Sequence, residues 1–387
     1  MKFVFGFLIL PFSLLASQKD TVPSRDYLTP THQKVKKEYP RKFNDVARYL
    51  GGRQPEKGCV LADELINNPS WKLYSDTAEV NWKKYYDERI VVLREWAYDE
   101  MGEINAKRFK FFYPFSGPDV LHGNMFFRNA DTTVMIGLEP VGTVPFLTTM
   151  SDDSVARYIR KINGSLHAVL NYSFFRTLSM RTDFKDDQLD GTVPLLMLLL
   201  ERTRNRVLDV RAAEIDKNGN LVVGKELEDK KKKRIPGVEI TYCFEDSTHE
   251  AKLYYFAVDI SDQGLYYKTP EFRTFMNKMG EVCTMVKSAS YLMHRETFSV
   301  IRKIILERSR LVLQDDSGIP HYYFVKAGWT YNLYGAYKGV IPLFSSRFQY
   351  MLDKSYKTDL HLVKPISFGI GYMYHPGTSN WVLYRKP

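Results

Sequence analysis

Two spacings of apolar residues alternate along the chain. Over 44–50 and again over 78–101 apolar side chains recur three and four apart, through Val80, Trp82, Ile90, Leu93, Trp96 and Ala97. That period predicts helices. The stretch 108–114 is strand-like, and Thr132-Thr133-Val134-Met135-Ile136-Gly137-Leu138 is a short apolar run with β-branched residues, as in a central buried strand. Helices are expected over 152–182, capped by Asp152, Asp153 or Ser154, and over 193–204 behind Pro194. Strands follow at 206–215, 221–223 after the Asn218-Gly219 turn, 238–244 and 252–260.

Beyond Pro270 the alternation continues. Helices are predicted over 271–279, 297–307 and 344–354, with strands over 282–286, 310–313, 321–326, 330–337, 365–374 and 381–385. Interleaved helices and strands predict an α/β or mixed α+β fold, a β-sheet core flanked by helices with an N-terminal helical cap. With 387 residues the chain fits two domains, or one large domain with an appendage. The expected division is a leader over 1–17, an extended lead-in and helical cap over 18–105, a first α/β half over 106–265 and an aromatic-rich second half over 266–387. The tetrapeptide Gly142-Thr143-Val144-Pro145 recurs as Gly191-Thr192-Val193-Pro194, which reads as repeated turn chemistry.

The first residues add a compartment. Met1-Lys2 precedes an apolar run from Phe3 to Ala16, followed by Ser17. A charged start, a short apolar stretch and small residues fit a secretory signal peptide. A membrane span needs about 20 apolar residues, which this run lacks. The expected location is therefore periplasmic or secreted. Apolar residues at 44% exclude global disorder. The net charge of +10 gathers at Lys34-Val35-Lys36-Lys37 and Lys230-Lys231-Lys232-Lys233-Arg234, without zinc-finger spacing, an RNP motif or a basic-aromatic stripe. No nucleic-acid partner is expected. Three cysteines are too few for a disulfide scaffold, and a single bridge would join Cys243 to Cys283, with three buried thiols as the alternative. The eight histidines are dispersed, so neither a metal nor a cofactor is expected.

Candidate chemistry sits where strands end in turns. Tyr113-Pro114-Phe115-Ser116-Gly117-Pro118-Asp119 offers a hydroxyl and a carboxylate at a sheet edge, with His122 three residues on. In open α/β sheets that edge binds ligands. Ser116 lies outside a nucleophile-elbow motif, and plain turn chemistry explains the segment equally well. Glu139 ends the buried strand and is placed either for acid–base work or for pairing with Arg157, Arg160 or Arg176. His294 precedes a helix. Gln314-Asp315-Asp316-Ser317-Gly318 follows an apolar strand and resembles the active-site loop of aspartic proteases, but that chemistry needs a second such loop and the chain has one.

Y-P-F-S-G-P-D, the later G-L-E-P, Q-D-D-S-G-I-P and the terminal S-N-W together resemble an uncharacterised family of exported bacterial proteins, from about residue 100 onward. The resemblance implies a bacterial, extracytoplasmic setting, in which Asn163 and Asn171 are poor glycosylation sites. It carries no catalytic roles. Two readings stay open. One is carboxylate-dependent hydrolysis of a glycan or peptide-like cell-envelope polymer, with Asp119, Glu139, Asp315 and Asp316 as acid–base candidates and His294 and Ser116 orienting. The other is a non-catalytic binding or assembly protein whose aromatic C-terminal surface meets an envelope polymer or protein partner.

Overall fold

A computed structural model describes residues 39–147, 151–172, 191–224, 235–245 and 247–387. The expected leader, both basic clusters and Arg176 lie outside these residues. The first elements among the described residues are α1 (Lys42–Leu50), α2 (Asp63–Asn67) and α3 (Pro69–Tyr85), which runs through a π-helical turn (Tyr86–Ile90) into α4 (Val91–Asn105). Asn68 caps α3 by accepting from the Trp71 N–H at 3.1 Å, and Pro69 occupies the first turn.

The sheet begins with β1 (Phe109–Tyr113), α5 (Val120–Phe126) and β2 (Ala130–Gly137). Next come α6 (Asp152–Tyr172), α7 (Val193–Arg202), β3 (Asn205–Ile215), β4 (Leu221–Val223), β5 (Ile235–Phe244) and β6 (Glu250–Ala257). The rest comprises α8 (Pro270–Lys278), β7 (Val282–Val286), α9 (Ser299–Arg308), β8 (Ser309–Gln314), α10 (His321–Lys326), β9 (Thr330–Gly335), α11 (Tyr350–Thr358), β10 (Val363–Lys364) and β11 (Asn380–Arg385). Among the described residues these strands form one eleven-stranded sheet in the order β10-β9-β11-β8-β7-β1-β2-β6-β5-β3-β4. The fold is mixed α/β, a large central sheet flanked by helices.

The five central strands, β8-β7-β1-β2-β6, are mutually parallel, and antiparallel pairs flank them on both sides. Successive side chains alternate between faces. Phe111, Tyr113, Cys283 and Met285 face the core that holds α1, α3, α4 and α7, while Phe112, Val282 and Val286 face the core of α8, α9 and α10. Burial on both faces explains why β7 is apolar nearly throughout. Helix α7 is buried along its whole length, as its apolar run from Val193 to Leu200 requires. Among the described residues no helix is long and apolar enough to cross a membrane.

Four local expectations are corrected. The segment 321–326 is helix α10 rather than a strand: Pro320 sets its entry, and His321 and Phe324, three apart, turn inward together. The chain over 365–374 is irregular, because at Gly369 it folds so closely over Tyr374 that a Cβ would lie 1.7 Å from the Tyr374 carbonyl oxygen. The predicted helix over 344–354 is a 3-10 segment (Pro342–Arg347) followed by α11. At α6 the capping hydroxyl is that of Ser151, which accepts from the Ser154 N–H at 3.4 Å. Cys59, Cys243 and Cys283 are free thiols. Cys243 on β5 and Cys283 on β7 stand four strand intervals apart, about 19 Å at the usual spacing, which precludes the bridge.

Candidate active site at the switch point of the sheet

Strand order sets the location. From β1 the chain proceeds through β2 towards β6 on one side, whereas β7 and β8 lie on the other. The order therefore reverses between β1 and β7, and the crevice beyond their carboxyl ends is where such sheets bind ligands. The loops after β1, β7 and β8 all emerge at this edge.

After β1, Phe115 and Gly117 take positive φ (59° and 51°), and the chain turns sharply into α5. Asp119 caps that helix, accepting from the His122 N–H at 3.2 Å. The same carboxylate accepts the Tyr113 hydroxyl at 2.8 Å and meets Lys287 Nζ at 2.6 Å. His122 Nδ1 lies 2.8 Å from Asp119 Oδ1. Hydrogen bonding assigns the tautomer: Nδ1–H donates to the carboxylate, which leaves Nε2 with the lone pair. Lys287 Nζ is also 3.0 Å from Nδ1 but directs its N–H at Asp119 Oδ2.

After β7, Lys287 is followed by Ser288, Ser290 and Tyr291, each at φ 52° without being glycine. Such strain persists only where the surroundings enforce it. After β8, Asp315 accepts from the Ser288 N–H at 2.9 Å, from the Ser317 N–H at 3.0 Å and from the Ser317 hydroxyl. Asp316 accepts the Tyr291 hydroxyl on one oxygen and Asn380 Nδ2 on the other, the latter at 3.1 Å. Gly371 closes over Asp315 so tightly that a Cβ there would lie 2.2 Å from its carboxylate.

Asp119, His122, Lys287, Asp315 and Asp316 are each at most 4% exposed. Burial opposes ionisation of Asp119, yet His122 and Lys287 outweigh it and hold the carboxyl well below its ordinary range. Burial lowers the His122 imidazole and the Lys287 ammonium, the latter against the pull of Asp119. Burial raises Asp315 and, with the neighbouring Asp315 charge, pushes Asp316 up to about 7. The loops at this edge of the sheet therefore carry two kinds of carboxyl, Asp119 held ionised and Asp316 with a raised affinity for its proton.

The other candidates have more local partners. The Ser116 hydroxyl donates to the carbonyls of Gly117 and Ile136 and accepts from the Ile136 N–H, tying the β1 loop to β2. Glu139 is buried at the end of β2, where it accepts from the Leu138 N–H at 3.0 Å and from the Tyr255 hydroxyl. His294 lies in a 3-10 turn beside Tyr291, its Nε2 buried without a partner and burial lowering the ring to about 4. Half-buried Tyr372 and Phe344 pack on Tyr291, and Phe115 packs on Phe298.

Sequence reasoning missed Lys287, Tyr291 and Asn380 and gave His122 no role. The signal for Lys287 was a nearly all-apolar five-residue strand running straight into a lysine, since a strand buried on both faces also buries the residue at its end. Among the described residues no group of three or more His, Cys, Asp or Glu side chains is arranged to hold a metal ion. No family model, curated protein or solved structure matches the chain.

Proposed function

We propose that the chain is an exported bacterial protein, periplasmic or secreted, that hydrolyses a glycan or peptide-like polymer of the cell envelope. Asp316 is the general acid, because burial and the Asp315 charge raise its carboxyl towards neutrality. His122 Nε2 is the general base, its ring oriented through Nδ1 by Asp119 as in other carboxylate–imidazole pairs. Asp119, saturated by donors from Tyr113, His122 and Lys287, orients rather than transfers protons. Lys287 balances its charge and supplies positive potential where negative charge develops.

The observation that carries this reading is the opposite displacement of two carboxyls, Asp119 downward and Asp316 upward, at the switch point of one sheet. The half-buried pair Tyr372 and Phe344, packed on the Tyr291 that bonds Asp316, suits stacking against sugar rings. The test is incubation of the full chain with purified envelope glycan–peptide polymer, reading soluble fragments by mass spectrometry. Parental protein should release fragments and Asp316→Asn should not.

A second reading, a non-catalytic binding protein, draws on the exposed side chains of Tyr322, Leu343 and Tyr350 in the C-terminal half. Binding of the same polymer without release of fragments would favour it.

A further inference from the structure

Resting on the acid role of Asp316, we infer that Tyr291 and Asn380 are positioning residues that fix its carboxyl and govern how tightly it holds its proton. Asn380 opens β11 beside β8 and grips Asp316 twice: its side-chain oxygen accepts the Asp316 N–H at 2.9 Å, and its Nδ2 donates to Oδ1 at 3.1 Å. Tyr291 donates its hydroxyl to the other oxygen, Oδ2. Each carboxyl oxygen thus has its own donor, a fit for the anion that opposes the effect of burial.

The backbone indicates what this arrangement costs. Tyr291 is a bulky residue at positive φ, the last of three such residues after β7. Its ring is held 4.9 Å from Phe344 and 5.1 Å from His294, so packing enforces the conformation that brings the hydroxyl to Asp316. The other groups facing Asp316 are Asp315 on its own loop, His294 against the main chain of Asp316 and Gly318, Tyr372 before β11, Tyr337 after β9 and Tyr356 on α11. Tyr291 and Asn380 are the side chains that hydrogen-bond the carboxyl itself.

The experiment tracks the Asp316 13Cγ resonance of the labelled full chain through a pH titration. Tyr291→Phe and Asn380→Ala each remove a donor to the anion and should raise the proton affinity of Asp316 by roughly ten- to a hundredfold. Site-specific 3-fluorotyrosine at position 291 keeps the ring and strengthens the donor, so it should shift the midpoint the opposite way, and it decides the matter should the other variants fail to fold. Unchanged Asp316 midpoints in the folded variants would overturn the inference. This readout needs no substrate. Shifted midpoints alongside full hydrolysis by Asp316→Asn would leave the positioning role standing and remove the catalytic reading.

Discussion

Lys287 Nζ and Asp119 Oδ2 lie 2.6 Å apart, both side chains almost wholly buried, joining the carboxyl ends of β7 and β1 where the strand order reverses. Removing one partner of such a pair strands the other charge, which typically costs about 3–5 kcal/mol. Lys287→Met should therefore destabilise the fold by that amount in urea denaturation. The double variant with Asp119→Asn should lose less than the sum of the two single losses.

Asp316 makes stability depend on pH in a defined direction. Its carboxyl holds a proton more tightly in the fold, up to about 7, than at its ordinary value of 3.8. The folded state therefore binds more protons across that window, and the contribution of Asp316 to stability falls as pH rises through it, then levels off. Asp316→Asn removes this term. The stability of the variant relative to the parent should climb between about pH 4 and pH 7, read as the difference between two denaturation series. His294 acts in the opposite sense: lowered to about 4 in the fold, it loses stability as pH falls below its ordinary 6.5.

Gly371 stands at φ 69°, where a Cβ would press on the Asp315 carboxylate. Gly371→Ala combines left-handed strain with that collision. A loss of about 1–3 kcal/mol is expected in thermal denaturation, together with a displaced Asp315 resonance.

Tyr85, at the entry to the π-helical turn, buries a hydroxyl without a hydrogen-bond partner within electrostatic reach of Asp119 and Arg89. Removing an unsatisfied buried hydroxyl is neutral or favourable. Tyr85→Phe should leave the melting temperature unchanged or raise it. A clear drop would mean that the phenol has a partner through water.

Much of the sheet was legible because strands buried on both faces must be apolar throughout. The range 282–286 matches its observed bounds and β2 and β11 match to within two residues, whereas the half-buried edge strand 221–223 was legible from the Asn218-Gly219 turn before it. Misreadings arose where composition and tertiary contact disagree. His321-Tyr322-Tyr323-Phe324-Val325 is rich in strand-favouring residues, yet it is helical because His321 bonds the Tyr384 hydroxyl and Phe324 stacks on that ring. The turn motifs pointed to Asp119, Asp315 and Asp316, since polar turns mark the ends of apolar strands. Their partners were not legible. Lys287, Tyr291 and Asn380 lie far from those motifs in sequence, and strand order alone brings them together.

The most direct test of the central claim is fragment release from purified envelope polymer by the parent chain, Asp316→Asn and His122→Gln, each first shown to be folded. The account predicts soluble glycan or peptide fragments from the parent and at least a hundredfold slower release from either variant, the usual scale for loss of a general acid or base. Equal release by all three proteins, or none by the parent, would contradict it.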